Sequence, residues 1–397
     1  MRKIRNEKNW GKTLYIVSVF IYNVFIKYKE DNCLKTKAAV TLESGTPFRI
    51  EEVELSEPKI NEVLIQVTAS GVCHTDAVAR DAEGLMPLPA VLGHEGSGIV
   101  AKVGPGVTSV QEGDHVVLSY SSCGTCTNCL LGKPAYCDNM MALNFGGVML
   151  DGTKRIKKEG QELSTFFGQS SFGMYAVAHE RNVVKVDKDV DIDLLGPLGC
   201  GIQTGSGTVL NKLQPKFDES LVVFGCGAVG LSALMAAKIV GSYPLIAVDL
   251  HDSRLELAKE LGASHVINAG KEDVVARIHE ITKGGSHYAV ETTSVPAVAV
   301  QSIHGLRAQG VSAIVGVTPD TNINIFQDIL AQGKSIVGVI EGDAVPQVFI
   351  PQLIDYYKQG KFPFDKLVKF YDLEDINQAF DDSANGTTVK PILKMNH

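Results

Sequence analysis

The sequence lacks both an excess of basic residues and a high density of cysteine. The net charge is −8 over 397 residues, and no long lysine or arginine run follows Thr36. We therefore expect no nucleic-acid partner, because phosphate contacts need a basic face. The chain has only eight cysteines, which is too few in a chain of this length for a disulfide scaffold.

A clear membrane-spanning stretch is also missing. The apolar segment at residues 13–26, TLYIVSVFIYNVFI, follows the basic residues Arg2, Lys3, Arg5, Lys8 and Lys12. This order is typical of a signal peptide, but no small-residue cleavage site follows, and a membrane span needs roughly 20 residues. We interpret residues 1–34 as a non-native or flexible extension, with a membrane anchor or a secretion signal as alternatives. We expect a cytoplasmic protein that is not attached to a membrane.

The pattern of apolar residues changes along the chain. Composition is that of a globular protein, 45% hydrophobic and 21% charged, and the length suits roughly two to three domains. Residues 37 to about 120 contain short apolar runs cut by glycine and proline, such as EVLIQVTASG, which predicts a barrel-like β domain. After Leu213 apolar strands alternate with helical segments. That alternation predicts a parallel, doubly wound sheet, so the fold class is α/β with a β-rich domain.

A glycine-rich turn predicts a dinucleotide site in the second part of the chain. The motif GCGAVG places Gly225, Gly227 and Gly230 between an apolar strand and an Ala-rich helix. This position between a strand and a helix favours a cofactor-binding turn, which would include Val229. The alternative interpretation is an ordinary structural βαβ unit. The helix N-terminus would face the pyrophosphate. Asp249 ends the next strand, where a carboxylate accepts bonds from the adenosine ribose and repels a 2′-phosphate, so NAD is predicted rather than NADP.

Four cysteines lie close together in the segment SCGTCTNCLLGKPAYC, at Cys123, Cys126, Cys129 and Cys137. Disulfides are not expected in a protein that works among reduced thiols. The spacing before the last cysteine also departs from that of an iron–sulfur motif. Four thiolates in one small lobe are typical of a tetrahedral structural zinc site. We predict such a zinc lobe at residues 120–140.

Three further residues form a second predicted metal set. Cys73 in GVCHTD, His94 in LGHEG and Cys200 in GPLGCGIQTG each lie among small residues. A lone buried cysteine is usually part of a core. Two cysteines and one histidine in a chain with a dinucleotide turn are instead the ligands of a catalytic zinc with an open fourth position. We therefore predict two zinc ions per chain.

With these motifs the chain resembles the zinc-dependent medium-chain alcohol dehydrogenases from about Lys35 to its C-terminus. The resemblance implies a GroES-like catalytic domain over residues 35–200. It also implies a Rossmann coenzyme domain over residues 201–342. Residues 343–397 would then return to the catalytic domain. Such enzymes usually assemble through the sheet domain, so a homodimer or a homotetramer is expected.

The resemblance also implies roles for single residues. Thr75 would take the substrate proton, and Glu95 would stand beside the catalytic zinc. His74 would belong to the same catalytic group and lie near the cofactor phosphates. The remaining implied contacts are to the cofactor, with Lys390 near the phosphates, Thr204 behind the nicotinamide and Arg254 near the adenosine ribose.

Two blocks, GPLGCGIQTGSGTVLN and FFGQSSF, resemble the aryl-alcohol branch of the family most. Liver-type members have a proton-relaying histidine five residues after the first zinc cysteine, where this chain has Val78. The aryl branch resembles this chain in lacking that histidine. The implied activity interconverts a primary, aromatic (benzyl-type) alcohol and its aldehyde with NAD. The alternatives are a glutathione-dependent formaldehyde dehydrogenase, which the block around Gln203 disfavours, and a non-catalytic member of the fold.

Overall fold

The structure of the protein is a computed structural model that describes residues 33–397. The three interpretations of the N-terminal segment therefore concern residues that lie almost entirely outside the described part. Strand β1 begins at Cys33, two residues before the predicted start of the catalytic domain. Among residues 33–397, no helix combines the length and apolar character needed to cross a bilayer.

The first part of the described chain is built of short strands. They are β1 (Cys33–Thr41), β2 (Arg49–Ser56), β3 (Glu62–Gly71), β4 (Ala90–Val91), β5 (Gly96–Val103), β6 (His115–Leu118), β7 (Ile156–Lys158), β8 (Gln161–Thr165), β9 (Tyr175–His179) and β10 (Val183–Val186). Two late strands join them, β17 (Val368–Asp372) and β18 (Lys390–Lys394). A closed barrel contains β1, β2, β7, β8 and β4, and a second sheet has the order β10-β6-β5-β3-β18-β17, with β9 also paired to β3.

Strand β3 leads directly to Cys73 and is paired with other strands along both of its edges. Its residues Val63, Ile65 and Val67 alternate with more exposed neighbours and are fully buried, as a strand with one core face requires. One edge of β3 pairs with β5. The other edge pairs with β9 at its start and with β18 at its end. The end of β3, which leads directly to Cys73, is therefore held by a strand from the C-terminal part of the chain.

The second part of the chain forms the predicted parallel sheet. Its strands are β11 (Leu221–Phe224), β12 (Leu245–Asp249), β13 (His265–Asn268), β14 (Ser286–Glu291), β15 (Leu306–Ile314) and β16 (Ser335–Gly338). Their order in the sheet is β13-β12-β11-β14-β15-β16, and all neighbours are parallel. Strands near the middle are buried on both faces, because helices cover the sheet on each side. The predicted α/β fold class is confirmed.

The α-helices connect these layers. They are α1 (His74–Asp81), α2 (Thr127–Leu130), α3 (Met140–Phe145), α4 (Gly201–Gly207), α5 (Ala228–Val240), α6 (Asp252–Leu261), α7 (Val274–Thr282), α8 (Pro296–His304), α9 (Pro346–Lys358) and α10 (Ile376–Ala384). One apolar core fills the first domain and two lie on the faces of the parallel sheet. The larger sheet core also includes Val117 and Val184 of the first domain. The two domains thus share buried apolar contacts on either side of the segment that carries Cys200.

Candidate active site

Four side chains with metal-binding atoms converge between the two domains. Cys73 precedes helix α1, His94 and Glu95 precede strand β5, and Cys200 precedes helix α4. The ligand atoms of all four lie within 4.8 Å of one another. Three segments that are distant in sequence therefore bring together the predicted catalytic set.

The surroundings of His94 fit a metal ligand. Its Nδ1 lies 2.9 Å from Oδ1 of the buried Asp76, while Oδ2 of Asp76 accepts the Cys73 backbone N–H at 3.0 Å. Burial opposes protonation of His94, but Asp76 outweighs this effect and raises the pKa of the ring. The other nitrogen, Nε2, is buried with no hydrogen-bond partner. A buried nitrogen made basic and oriented by a carboxylate is the arrangement that metal-ligating histidines use.

The two thiols of this cluster face each other. A hydrogen bond from Cys200 holds the pKa of Cys73 well below its ordinary value, and the same contact raises the pKa of Cys200. Two cysteine sulfur atoms are a soft ligand pair that suits a zinc ion, which binds them as thiolates. Together with His94 they give the three protein ligands that a catalytic zinc requires.

Glu95 lies beside these ligands and forms an ion pair with Lys390. Its carboxylate is buried, which raises its pKa. It accepts a bond from Lys390 Nζ at 2.9 Å and from the Gly201 backbone N–H at 3.0 Å. Lys390 also donates to the Val72 carbonyl at 3.0 Å. Lys390 is the residue predicted to lie near the cofactor phosphates. It lines the cleft described below, and its ammonium group pairs with Glu95.

The four-cysteine lobe also fits a metal. The sulfur atoms of Cys123, Cys126, Cys129 and Cys137 lie within 4.8 Å of one another and form no disulfide. Backbone N–H groups point at two of them: Cys123 Sγ accepts from Cys126 at 3.3 Å, and Cys137 Sγ accepts from Cys123 at 3.3 Å. Such bonds favour the thiolate form. The lobe is therefore suited to a tetrahedral zinc ion.

Replacing Cys126 by serine should remove the metal of the lobe alone. Three remaining thiolates bind zinc more weakly, and the lobe has little apolar core to hold it folded without the metal. We expect the zinc content to fall from two to one per chain and the melting temperature to fall with it. Elemental analysis and thermal denaturation measure both, with Cys33→Ser as the control. A variant that keeps two zinc ions would contradict the assignment.

A cleft of about 510 Å³ extends from the metal cluster to the carboxyl ends of the parallel strands. Cys73 and His74 line one end of it, and Asp249 and Arg254 line the other. Its volume is that of a small-molecule or cofactor site, and its position at the strand ends is where doubly wound folds bind dinucleotides. His74 is exposed in this cleft.

Two of the three glycines in the turn GCGAVG have a steric reason. Gly225 has φ of +91°, a conformation that favours glycine. A Cβ on Gly230 would lie 1.8 Å from the Gly225 carbonyl oxygen, so this position must be glycine for helix α5 to pack. Gly227 begins that helix and has open space where a Cβ would point. Val229 also lines the cleft. The turn thus leaves a helix N-terminus accessible to a phosphate.

The adenosine end of the cleft contains opposite charges. Asp249 accepts the backbone N–H groups of Cys226 at 2.7 Å and His251 at 2.9 Å. Arg254 Nη1 lies 4.0 Å from this carboxylate, and Arg254 Nε is buried without a hydrogen-bond partner. The carboxylate therefore lines the end of the cleft where ribose hydroxyls are predicted, and the guanidinium retains free donor capacity.

The structure relates Thr75 and Thr204 less directly to their predicted roles. Thr75 Oγ1 lies 3.7 Å from Cys73 Sγ, beside the metal cluster. Thr204 is buried in α4, where its backbone N–H donates to the Cys200 carbonyl at 2.8 Å, and it is not among the residues that line the cleft.

Sequence reasoning missed two buried carboxylates beside this site. Asp76 orients His94, and its position three residues after Cys73 in the first turn of α1 is the signal that could have found it. Glu341 has its pKa raised to about 7 by burial, and its Oε2 accepts a bond from Gln203 Nε2 at 2.9 Å. The signal for Glu341 is an acidic residue directly after an apolar strand segment, SIVGVI.

Comparison with known proteins agrees with this geometry. The family described as "Alcohol dehydrogenase GroES-like domain" matches residues 59–188, and "Zinc-binding dehydrogenase" matches residues 228–358. A geraniol dehydrogenase of Castellaniella defragrans is 45% identical over 91% of this chain and 98% of its own. An S-(hydroxymethyl)glutathione dehydrogenase of Paracoccus denitrificans is 37% identical over 91% and 100%. The crystal structure of benzyl alcohol dehydrogenase from Acinetobacter calcoaceticus is 50% identical, with a TM-score of 0.88 and coverage of 91% and 100%.

Proposed function

The chain belongs to the zinc-dependent medium-chain alcohol dehydrogenases, and from this premise we propose that it oxidises primary alcohols whose carbinol carbon is bonded to an unsaturated carbon, with NAD as hydride acceptor. Benzylic and allylic alcohols both meet that description. The observation that carries the proposal is one continuous cleft, which is lined at one end by Cys73 and at the other by Asp249. A metal-bound substrate and a dinucleotide would therefore meet in one space.

The residues of the chain divide the work of the reaction. When bound, zinc on Cys73, His94 and Cys200 supplies a Lewis acid that lowers the pKa of the alcohol hydroxyl, and NAD supplies the hydride acceptor. We assign the acceptance of that hydroxyl's hydrogen bond to Thr75, whose Oγ1 lies 3.7 Å from Cys73 Sγ. Asp76 keeps the His94 ring in one orientation. The alcohol loses a hydride from carbon and a proton from oxygen, which gives the aldehyde, NADH and H⁺.

Aromatic rings pack around His94. The Phe167 ring stacks on His94 with centroids 4.5 Å apart, and Phe166 meets His94 edge-on at 5.4 Å. Phe145 packs edge-on against both phenylalanines. Phe166 and Phe167 are buried and do not line the cleft, so the support for an unsaturated substrate comes from the relatives. Geraniol and benzyl alcohol, the substrates in the names of two relatives, share an sp² carbon next to the carbinol carbon.

Matched pairs of alcohols test the proposal. Benzyl alcohol is compared with cyclohexylmethanol, and geraniol with citronellol, by NADH formation. We expect kcat/KM of benzyl alcohol and of geraniol to exceed that of the partner without an adjacent unsaturated carbon by about tenfold or more, equivalent to about 1.4 kcal/mol. Equal values within both pairs would overturn the proposed substrate class while leaving the alcohol dehydrogenase activity intact.

The same assay includes S-hydroxymethylglutathione, the substrate of the alternative. That relative is 37% identical, against 45% and 50% for the geraniol and benzyl alcohol enzymes, so the alternative is not favoured. A protein that forms no NADH with any alcohol would instead support the non-catalytic interpretation. The convergence of Cys73, His94 and Cys200 argues against that interpretation.

Cofactor choice should depend on Asp249. We expect the wild type to prefer NAD over NADP by at least about tenfold in kcat/KM, because the carboxylate repels a 2′-phosphate. Asp249→Ser removes this charge next to Arg254 and should narrow the preference by about tenfold, mainly through a lower KM for NADP. Asp252→Ser, which alters a neighbouring acid outside the cleft, serves as control. Equal use of both cofactors by the wild type would refute the role of Asp249.

A further inference from the structure

Three consecutive residues between β16 and α9 have left-handed backbone conformations. The φ angles are +49° at Glu341, +67° at Gly342 and +51° at Asp343. Left-handed residues other than glycine are costly and normally occur singly. They persist where the surrounding structure determines them, often near functional sites. We refer to residues 341–343 as the left-handed turn and ask what holds it.

The centre of the left-handed turn is packed against the helix that follows Cys200. A Cβ on Gly342 would lie 2.3 Å from the Gln203 carbonyl oxygen and 2.9 Å from the Gly207 Cα, so no larger residue fits. Asn211 Nδ2 donates to the Gly342 carbonyl at 3.0 Å. The turn cannot shift without moving α4.

Glu341 carries this contact to the backbone beside the metal ligand. Its carboxylate accepts a bond from Gln203 Nε2, which also lies 2.7 Å from the Gly199 carbonyl oxygen. Ser119 Oγ donates to the same carbonyl at 2.6 Å. Gly199 is the residue before Cys200. Its carbonyl oxygen accepts hydrogen bonds from two donors, Gln203 and Ser119, which fix the peptide that leads into Cys200. Glu341 is 7% exposed, so water does not compete for its oxygen atoms.

Asp343 extends from the other end of the turn to the four-cysteine lobe. Its carboxylate forms a hydrogen bond with the Tyr136 hydroxyl and an ion pair with Lys212 at 3.2 Å. Tyr136 is adjacent to Cys137, and its carbonyl accepts from Asn128 Nδ2 at 2.8 Å within the lobe. The hydroxyl contact joins positions 207 residues apart in the chain.

We propose that the left-handed turn is a mechanical link through which the four-cysteine lobe positions the catalytic metal ligand Cys200. Tyr136, Asp343 and Glu341 are positioning residues along this link, and Gln203 is its last member. The proposal gives the lobe a task beyond its own stability, since the two metal clusters share no ligand. It rests on the metal assignment of the proposed function, which elemental analysis of the wild type tests separately.

The experiment follows each metal in the full-length protein loaded at both sites. Tyr136→Phe, Asp343→Asn and Glu341→Gln are compared with the wild type, and Tyr371→Phe is the control, because its hydroxyl also bonds a carboxylate, Asp382, at 2.6 Å. Zinc withdrawal is timed with a chromogenic chelator. Cobalt(II) replacement then reports the two sites by absorption, since four thiolates and a thiolate–imidazole set give different spectra.

We expect each of the three variants to release the metal of the Cys73 cluster about tenfold faster, the usual effect of losing an outer hydrogen-bond partner. The cobalt spectrum of that cluster should change while the four-thiolate spectrum and the control stay as in the wild type. The double variant Tyr136→Phe with Glu341→Gln should be no worse than the more severe single variant, because the residues act in series.

Three outcomes would overturn the link. If Tyr136→Phe and Asp343→Asn have the release rates and spectra of the wild type, the four-cysteine lobe does not position Cys200 through the left-handed turn. Faster loss from the four-cysteine lobe alone would confine Tyr136 to its own lobe. Additive effects in the double variant would show two independent structural contacts. Tyr136→Phe removes one oxygen atom only, so it provides a result even where Glu341→Gln fails to fold.

Discussion

Replacing Cys73 by serine should lower kcat/KM for the best alcohol by about a thousandfold or more. Lewis-acid stabilisation by a metal is worth several kcal/mol, and each factor of ten in rate corresponds to about 1.4 kcal/mol. Serine offers a neutral hydroxyl where the cluster needs a thiolate, so one of three protein ligands is lost. Folding should be little affected, because Asp76 bonds the backbone N–H of residue 73 and not its side chain.

Steady-state kinetics, elemental analysis and thermal denaturation of the purified variant test this expectation together. The zinc content should fall to one per chain, with the melting temperature close to that of the wild type. Cys33→Ser, which changes a cysteine outside both clusters, should retain activity and both zinc ions. Activity within tenfold of the wild type would show that Cys73 is not a ligand of the working metal.

Replacing Lys390 by methionine should destabilise the protein by about 3–5 kcal/mol, the usual result of removing one partner from a buried ion pair. The side chain of Lys390 is 4% exposed and that of Glu95 is fully buried, with the charged atoms 2.9 Å apart. Methionine fills a similar volume but leaves the Glu95 carboxylate without its counter-charge. Urea denaturation measures the loss.

A second substitution distinguishes the charge from the packing. Glu95→Gln combined with Lys390→Met removes both charges and should recover most of the lost stability, as replacement of whole buried pairs often does. Lys358→Met breaks surface pairs with Asp187 and Asp189 and should cost much less stability, because solvent screens exposed pairs. If Lys390→Met costs no more than Lys358→Met, the buried pair is not a stabilising contact.

Local motifs made much of this protein predictable from its sequence. The glycine turn and the four-cysteine lobe each lie within a short segment, and their residue types occur for few reasons other than phosphate or metal binding. The alternation of apolar strands and helices after Leu213 predicted the parallel sheet, which is confirmed. The family resemblance also predicted the two-domain architecture, which the matched families confirm.

Contacts between distant segments were not predictable in this way. The resemblance implied that Lys390 lies near the cofactor phosphates, but it gave no sign that its ammonium group pairs with Glu95, 295 residues earlier. The left-handed turn carries no motif, because its conformation follows from what packs against Gly342. Asp76 was visible in the sequence, yet its role depends on the approach of the loop that carries His94.

The pairing of strand β18 with the end of β3 has a consequence for how the protein is made. Lys390, the first residue of β18, donates to the Val72 carbonyl, which was synthesised 318 residues earlier. While the ribosome is still adding residues before 390, the segment leading to Cys73 has only one of its flanking strands at that end. The catalytic cluster therefore acquires its support late in translation. We therefore expect the four-cysteine lobe, whose ligands all lie within residues 123–137, to bind zinc earlier in synthesis than the Cys73 cluster does.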